Sequence, residues 1–279
     1  MRDTQRQACL PGQGLADYVA EAISFLRSHE PPEGYFLGFS GGKDSIATLE
    51  LCRMARVKFE AYHSCTRIDP PEIYKFIREN YPGVKWLYPK EPFWNMVRRK
   101  GPPMRMSRWC CSELKKKPAK AIPLGMRLMG IRAEESSRRA ARPRVDRISR
   151  AEVLLKPIFM WPEWAVWEFI EERDLPYPSL YDEGIGRIGC VICPMAFGNS
   201  PAKLRRLELY MARWPSLWRL FEKAVKDWLN ARACAGGPRP GQRFKDAGEF
   251  WENYIHDNPA KGKRPAAIGA SDDQALPLP

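Results

Sequence analysis

The chain has few histidines, three in 279 residues, and it lacks any long uninterrupted apolar run, internal repeat or long block of one charge. Each absence removes a class of protein. So few histidines disfavour a mixed Cys/His zinc centre. No segment approaches the ~18 apolar residues of a membrane-spanning helix, so no membrane partner is expected. The first residues, Met1 to Gly14, are polar and mixed in charge, with no apolar stretch like a signal peptide; the expectation is a soluble, cytoplasmic chain. Without a repeat there is no solenoid. No Lys/Arg block exceeds a few residues, so the basic charge is dispersed rather than gathered in a tail.

What is present points to a packed α/β domain with an appendage. The hydrophobic content is 44% and the aromatic content 11%, enough for a substantial core. The formal charge of +13 and a pI near 9.5 point to an anionic partner, a nucleotide or a nucleic acid, although dispersed basic residues also serve solubility. Eight cysteines without a secretion signal read as metal ligands or reactive thiols rather than a disulfide framework.

Along the chain, Leu15, Val19, Ile23 and Leu26 are spaced for a helix ending before Pro31-Pro32. Gly34 to Phe39 reads as a strand and Ile46 to Arg56 as a helix, with Ser40-Gly41-Gly42 between them. Strands over Val57–Tyr62 and Val84–Leu87 alternate with helices over Pro71–Tyr81 and Phe93–Arg99. Later strands follow over Arg127–Ile131 and Val153–Ile158, with a helix over Trp164–Arg173. Such alternation predicts a doubly wound parallel sheet. Pro201 to Ala233 is helical, broken at Trp214-Pro215. The expected division is an α/β nucleotide-binding domain carrying the clustered cysteines over 1–198, a C-terminal helical extension over 199–258 and a disordered tail over 259–279. The basic stretch Arg138 to Arg150 is expected to be a loop at the C-terminal edge of the sheet, facing a phosphate backbone or solvent.

Ser40-Gly41-Gly42-Lys43-Asp44-Ser45 stands where a strand turns into a helix. Two glycines there let successive backbone N–H groups converge on an anion at a helix N-terminus. Lys43 adds a point charge, Ser40 and Ser45 add hydroxyls, and Asp44 could hold Mg²⁺ or orient a ligand. The string is not the Gly-x-x-x-x-Gly-Lys-Ser/Thr loop. It resembles the pyrophosphate-binding loop of N-type ATP pyrophosphatases, which implies that ATP is held by its β- and γ-phosphates while the α-phosphate is attacked.

Cys110-Cys111 and, about 80 residues later, Cys190-Val191-Ile192-Cys193 supply four thiolates in two short clusters. Four soft ligands suit a [4Fe-4S] cluster or zinc. An adjacent Cys-Cys pair is awkward for a closed zinc tetrahedron, so the cluster is preferred, with zinc and ordinary buried cysteines as alternatives. Cys9, Cys52, Cys65 and Cys234 have no such grouping.

Several further motifs resemble the phosphoadenosine phosphosulfate reductase family, over about Tyr35 to Pro194. They are Thr66 through Pro70-Pro71-Glu72; Gly130-Ile131-Arg132-Ala133-Glu134-Glu135-Ser136 with Arg139; Pro157-Ile158 with Trp161, Val166 and Trp167; and Leu180-Tyr181 and Gly184 before Arg187-Ile188-Gly189-Cys190. The resemblance implies an adenine nucleotide alpha hydrolase-like fold, and its adenylyl-sulfate reductases share the paired-cysteine cluster pattern. It also implies that Arg132 and Arg139 face phosphates or an acidic substrate, with Glu135 beside the nucleotide; surface ion pairs with Glu134 and Glu135 are the plainer alternative. No Glu-Cys-Gly-Leu-His segment follows Cys193, and the loop is of the ATP-hydrolysing type. Those two features resemble the sulfur-inserting members that act in DNA phosphorothioation and tRNA thiolation. The activity implied is ATP pyrophosphatase chemistry that activates a substrate oxygen for sulfur insertion, with a nucleic acid as partner and a cysteine desulfurase or other sulfur or electron donor. Sulfonucleotide reduction and a non-catalytic nucleic-acid-binding subunit are the alternatives.

Overall fold

The structure, a computed structural model, describes residues 14–105, 107–196, 198 and 200–233. Cys9, Cys234, residues 234–258 of the expected extension and the expected tail over 259–279 lie outside the described residues.

In chain order the elements are α1 (Leu15–Ser28), β1 (Tyr35–Gly38), α2 (Lys43–Ala55), β2 (Phe59–Ser64), α3 (Pro71–Asn80), β3 (Lys85–Leu87), α4 (Phe93–Lys100), α5 (Trp109–Cys111), α6 (Lys117–Lys120), β4 (Met126–Met129), α7 (Ser137–Ala140), β5 (Val145–Arg147), β6 (Val153–Leu155), α8 (Glu163–Glu172), α9 (Pro201–Arg213) and α10 (Pro215–Ala233). The chain sorts into two compact units that are not contiguous in sequence. Among the described residues a sheet unit takes 14–65, Pro71–Tyr88 and Pro118–Ile188, and a cysteine unit takes Thr66–Pro70, Pro89–Lys117 and 189–233. The linear division expected from sequence groups the clustered cysteines with the sheet; the contacts group them with the C-terminal helices.

The sheet is six-stranded, in the order β3-β2-β1-β4-β6-β5. Every pairing is parallel except β5 with β6, which is antiparallel. The sheet is therefore mostly parallel with one antiparallel edge, and β5 lies inside the basic stretch expected to be a loop. Arg142 and Arg144, which flank that edge strand, are tied down: Arg142 donates to Asp146 at 2.6 Å, and Arg144 pairs with Glu21 and donates to the Pro157 carbonyl at 2.6 Å. Short alternating segments amid arginines conceal such a strand, because its pairing comes wholly from β6.

β1 is central and apolar, as a strand covered on both faces should be, with Tyr35, Phe36 and Leu37 buried. The chain moves from β1 to β2 and β3 on one side and resumes with β4 on the other. This reversal of strand order places a crevice outside the C-terminal ends of β1 and β4, where open α/β sheets take their ligands. α1 buries Leu15, Tyr18, Ala22 and Leu26, a single helical stripe. It packs with α2 and α8.

In the cysteine unit, α4 lies on α10, with Phe93 stacked between Trp109 at 5.7 Å and Phe221 at 6.1 Å. Gly101 has a positive φ of 84°, and a Cβ there would come within 2.8 Å of the Trp228 ring. Trp109 donates from its indole N–H to the Gly101 carbonyl at 3.2 Å, which fixes the start of the Cys110-Cys111 turn.

Close approach also decides Gly130, just past β4. A Cβ on it would strike the Asp44 carbonyl and reach the Ser45 nitrogen at 3.0 Å. Gly130→Ala should therefore push β4 and α2 apart and lower stability by roughly 1–3 kcal/mol. Urea denaturation checks this, and an unchanged midpoint refutes the close packing.

Candidate functional site

The phosphate loop occupies the crevice at the β1/β4 reversal. Gly41 takes a positive φ of 77° and lies against Ile73 and Ile77 of α3. Ser45 ties the loop together: its hydroxyl donates to the Gly42 carbonyl at 2.8 Å and accepts the Ser40 N–H at 3.2 Å. The Gly42 N–H donates to the Ser40 hydroxyl at 3.3 Å. α2 starts at Lys43, three residues before the apolar periodicity begins, so the whole Lys43-Asp44-Ser45 segment belongs to its first turn. No side chain of the N-cap, Gly42, closes that end. Instead the Lys43 N–H donates to the Tyr181 hydroxyl at 3.0 Å, across 138 residues of sequence.

The charges around the loop are paired and largely shielded. Lys43 is only 5% exposed, with its ammonium 3.2 Å from Glu163 and 3.4 Å from Asp44. It also sits 5.7 Å from the Tyr181 ring and 6.0 Å from that of Trp167. Arg132 is buried, 3% exposed, with Nε 2.6 Å from Asp44 and a terminal nitrogen 2.5 Å from Glu134. Arg139 pairs with Glu135, whose carboxylate also accepts the Arg132 backbone N–H at 3.1 Å and lies 3.9 Å from Arg187. Burial, then the neighbouring Arg187, lowers the Arg139 pKa. The ion pairs with Glu134 and Glu135 are thus present, but Arg132 is a buried group rather than a surface one.

Ser40, Gly41, Gly42, Lys43, Asp44, Ser45, Arg132, Glu135 and Arg139 all fall in this one crevice of the sheet unit. Sequence reasoning assigned no role to Glu163, Trp167 or Tyr181. Trp167 and Tyr181 stand within the quoted motifs, but only tertiary contact reveals that a tyrosine hydroxyl closes the loop.

Cys110, Cys111, Cys190 and Cys193 lie in the cysteine unit, all unpaired by disulfides. After Cys111 the helix widens into a π-helical turn, Ser112–Lys116, a distortion common at functional sites. The Cys110 thiol donates to Cys111 and its pKa is raised, first by that bond and then by burial. Cys111 is pushed down, first by accepting from Cys110 and then, against its burial, by Lys115, Arg108 and Lys116. Burial, and then Asp69, pushes the Cys190 thiol up. Asp69 accepts from the Thr66 hydroxyl at 2.7 Å and lies 4.0 Å from the Lys115 ammonium. Among the described residues no three Cys, His, Asp or Glu side chains gather as for a single metal ion. The charges of Cys111, Cys190 and Cys193 all reach Cys110, so the four thiols share one neighbourhood. As a donor set, four soft sulfurs are of the kind that an iron–sulfur cluster or zinc takes.

A phosphate loop at a strand-order reversal defines an α/β nucleotide-binding protein. Residues 34–196 match the phosphoadenosine phosphosulfate reductase domain, and the chain belongs to that family, whose members are adenine nucleotide alpha hydrolase-like. An uncharacterized protein of Methanocaldococcus jannaschii is 30% identical over 240 residues, covering 81% of this chain and 49% of the relative. The adenosine 5'-phosphosulfate reductase of Staphylococcus epidermidis is 25% identical over 166 residues, covering 55% of this chain and 68% of the relative. The chain thus spans about half the length of the first of these relatives. Among solved structures, the phosphoadenylyl-sulfate reductase of Candida auris aligns with a TM-score of 0.49 and 19% identity, over 62% of this chain and 87% of the other. No helix among the described residues is long and apolar enough to cross a membrane.

Two outcomes follow. Tyr181→Phe removes the hydroxyl that accepts the Lys43 N–H; a phosphate bound at this helix start would have to displace that hydroxyl, so the variant should bind nucleotide about three- to tenfold more tightly, the worth of one neutral hydrogen bond. Calorimetric titration measures it, and weaker binding would mean that the hydroxyl contacts the nucleotide instead. In metal-free protein, iodoacetamide should alkylate Cys111, whose pKa is lowered by its hydrogen bond from Cys110 and by nearby cations, well before buried Cys52, whose pKa burial raises. Mass spectrometry of the iodoacetamide-treated protein reads both.

Proposed function

We propose that the chain is an ATP pyrophosphatase that activates a substrate oxygen as an adenylate for replacement by sulfur, with nucleic acid as the acceptor. The observation that carries the nucleotide part is the loop Ser40–Ser45: a bare glycine N-cap, a buried lysine and a buried arginine together at the β1/β4 crevice. Such a site suits a leaving group with growing negative charge, because preorganised N–H groups and cations need no reorganisation as the charge develops.

In the first step the acceptor oxygen attacks the α-phosphorus of ATP, and the bond from that phosphorus to the bridging oxygen breaks. Pyrophosphate leaves with the bond pair, held by the loop amides and Lys43. A sulfur nucleophile, furnished by a cysteine desulfurase or another sulfur and electron donor, then displaces the activated oxygen, which departs on AMP. Arg132 and Arg139 face the phosphates as guanidinium forks, with Glu134 and Glu135 holding them until the nucleotide enters.

Asp44 aims Arg132 with one oxygen and faces Lys43 with the other. Two contacts leave lone pairs on the carboxylate, so Asp44 would still be able to hold an Mg²⁺ that the phosphates of ATP also bind. Cys110, Cys111, Cys190 and Cys193 would hold a [4Fe-4S] cluster, which supplies electron transfer or sulfur handling, or braces the unit.

The deciding experiment is anaerobic incubation with labelled ATP, adenylylated sulfate and candidate nucleic acids. AMP and pyrophosphate should appear, and Lys43→Ala should slow their release at least about a hundredfold. Sulfite formed from adenylylated sulfate, the substrate named for the Staphylococcus epidermidis relative, would replace this reading with reduction. Anaerobically purified protein should also be brown, with about four irons per chain; a colourless protein with one zinc refutes the cluster.

A further inference from the structure

The net charge is divided unequally between the two units. Among the described residues the sheet unit carries 20 Lys and Arg against 20 Asp and Glu, a formal charge of zero. The cysteine unit, although smaller, carries 18 against 6, a formal charge of +12. Solubility does not account for the difference, since the sheet unit has an exposed surface of its own and is neutral.

The excess is also placed. Arg67, Arg108 and Lys116 are exposed and make none of the ion pairs that occupy Arg98, Arg99, Lys100 and Lys117. Arg67 sits in the Thr66–Pro70 loop, held there with a positive φ of 59°, next to the Thr66 hydroxyl that approaches Cys190 at 4.0 Å. Arg108 and Lys116 flank the Cys110-Cys111 turn, and their charge reaches Cys111. Further along, Lys203 and Arg205 on α9 continue the same sign. Cations spread over a loop, a helical turn and a second helix suit an extended polyanion better than a single small anion. Among the described residues the large apolar side chains exposed on the unit, Met195, Leu209 and Leu220, are few, which speaks against a membrane surface.

We infer that the cysteine unit, and not the neutral nucleotide-binding sheet unit, is the docking surface for a nucleic-acid backbone, with Arg67, Arg108 and Lys116 contacting phosphodiesters beside the four cysteines. This rests on the reading of nucleic acid as the acceptor and adds where it binds. Backbone contacts of this kind carry no sequence information, so recognition of a particular site must come from other groups.

The test uses the whole protein and two fluorescein-labelled probes, a DNA duplex and an RNA hairpin, followed by fluorescence anisotropy as salt is raised. The triple substitution Arg67→Gln, Arg108→Gln, Lys116→Gln should weaken binding at least about tenfold and flatten the log K against log salt slope by about 2 to 3. The control Arg147→Gln, Arg150→Gln, two exposed arginines of the sheet unit, should change neither. Binding of one probe and not the other identifies the polymer and supports the assignment. A triple variant that binds like the parent, or a control that loses the affinity, overturns the placement while leaving the acceptor reading intact. No binding of the parent to either probe at about 50 mM salt overturns both. Release of pyrophosphate from ATP, measured separately, tells whether the nucleotide chemistry stands regardless. All three side chains are exposed, and circular dichroism confirms that the variants fold.

Discussion

A helix that starts directly from a strand leaves its first backbone N–H groups without partners inside the helix, and the crevice of the sheet unit is built around that deficit. Gly42 brings no side chain to cap α2, and Tyr181 reaches in from a distant segment to accept the Lys43 N–H. An N-terminus closed by one neutral hydroxyl presents a donor that a phosphate oxygen would also satisfy, with charge as well. Glycines are needed at both sides of the crevice for the same reason. Gly41 turns the loop back against α3, and Gly130 lets β4 come up to the backbone of α2.

That approach has an electrostatic counterpart. With β4 so close, Arg132 is buried directly against Asp44, and losing either leaves the other with one remaining counter-ion, Glu134 for the arginine and Lys43 for the aspartate. Glu134 and Glu163 extend the network, Glu134 on Arg132 and also accepting the Glu163 N–H at 2.7 Å, and Glu163 on Lys43. In this state every cation of the crevice is balanced by a carboxylate. An incoming polyphosphate therefore competes with carboxylates for lysine and arginine rather than meeting bare charge, and affinity depends on how many of those pairs it replaces.

Much of this was legible in the sequence. The alternation of strands and helices, the phosphate loop and the break at Trp214-Pro215 rest on local signals: periodicity, glycine pairs and proline. β5 was not legible, because Val145–Arg147 lies among arginines and becomes a strand only by pairing with β6. The start of α2 was also displaced, since Lys43-Asp44-Ser45 is polar and joins the helix through backbone geometry rather than an apolar stripe. Within the site the loop was readable and its surroundings were not. Tyr181 and Glu163 act on Lys43 from far along the chain, and no local pattern encodes a contact across 138 residues. The formal charge of +13 was visible as a total, but its division was hidden, because the cysteine unit is assembled from three separate stretches.

The division of charge bears on what the clustered cysteines can do. Thiolates repel one another, and four of them in one neighbourhood are stable only with a metal or with cations beside them. Lys115 and Arg108 meet part of that need near Cys111, while Asp69 works against it at Cys190, whose thiol is held protonated by burial and by that carboxylate. Without metal the site is therefore uneven, the Cys111 thiol being held more acidic than the Cys190 thiol. A metal bound there would have to displace the Cys190 proton against the field of Asp69, a cost that Lys115, 4.0 Å from the same carboxylate, would partly offset. On the proposed reading the same lysines and arginines would serve two anions, the thiolates within the unit and a polyanion outside it, and an excess of 12 positive charges is large enough to leave a net positive unit after four thiolates are balanced.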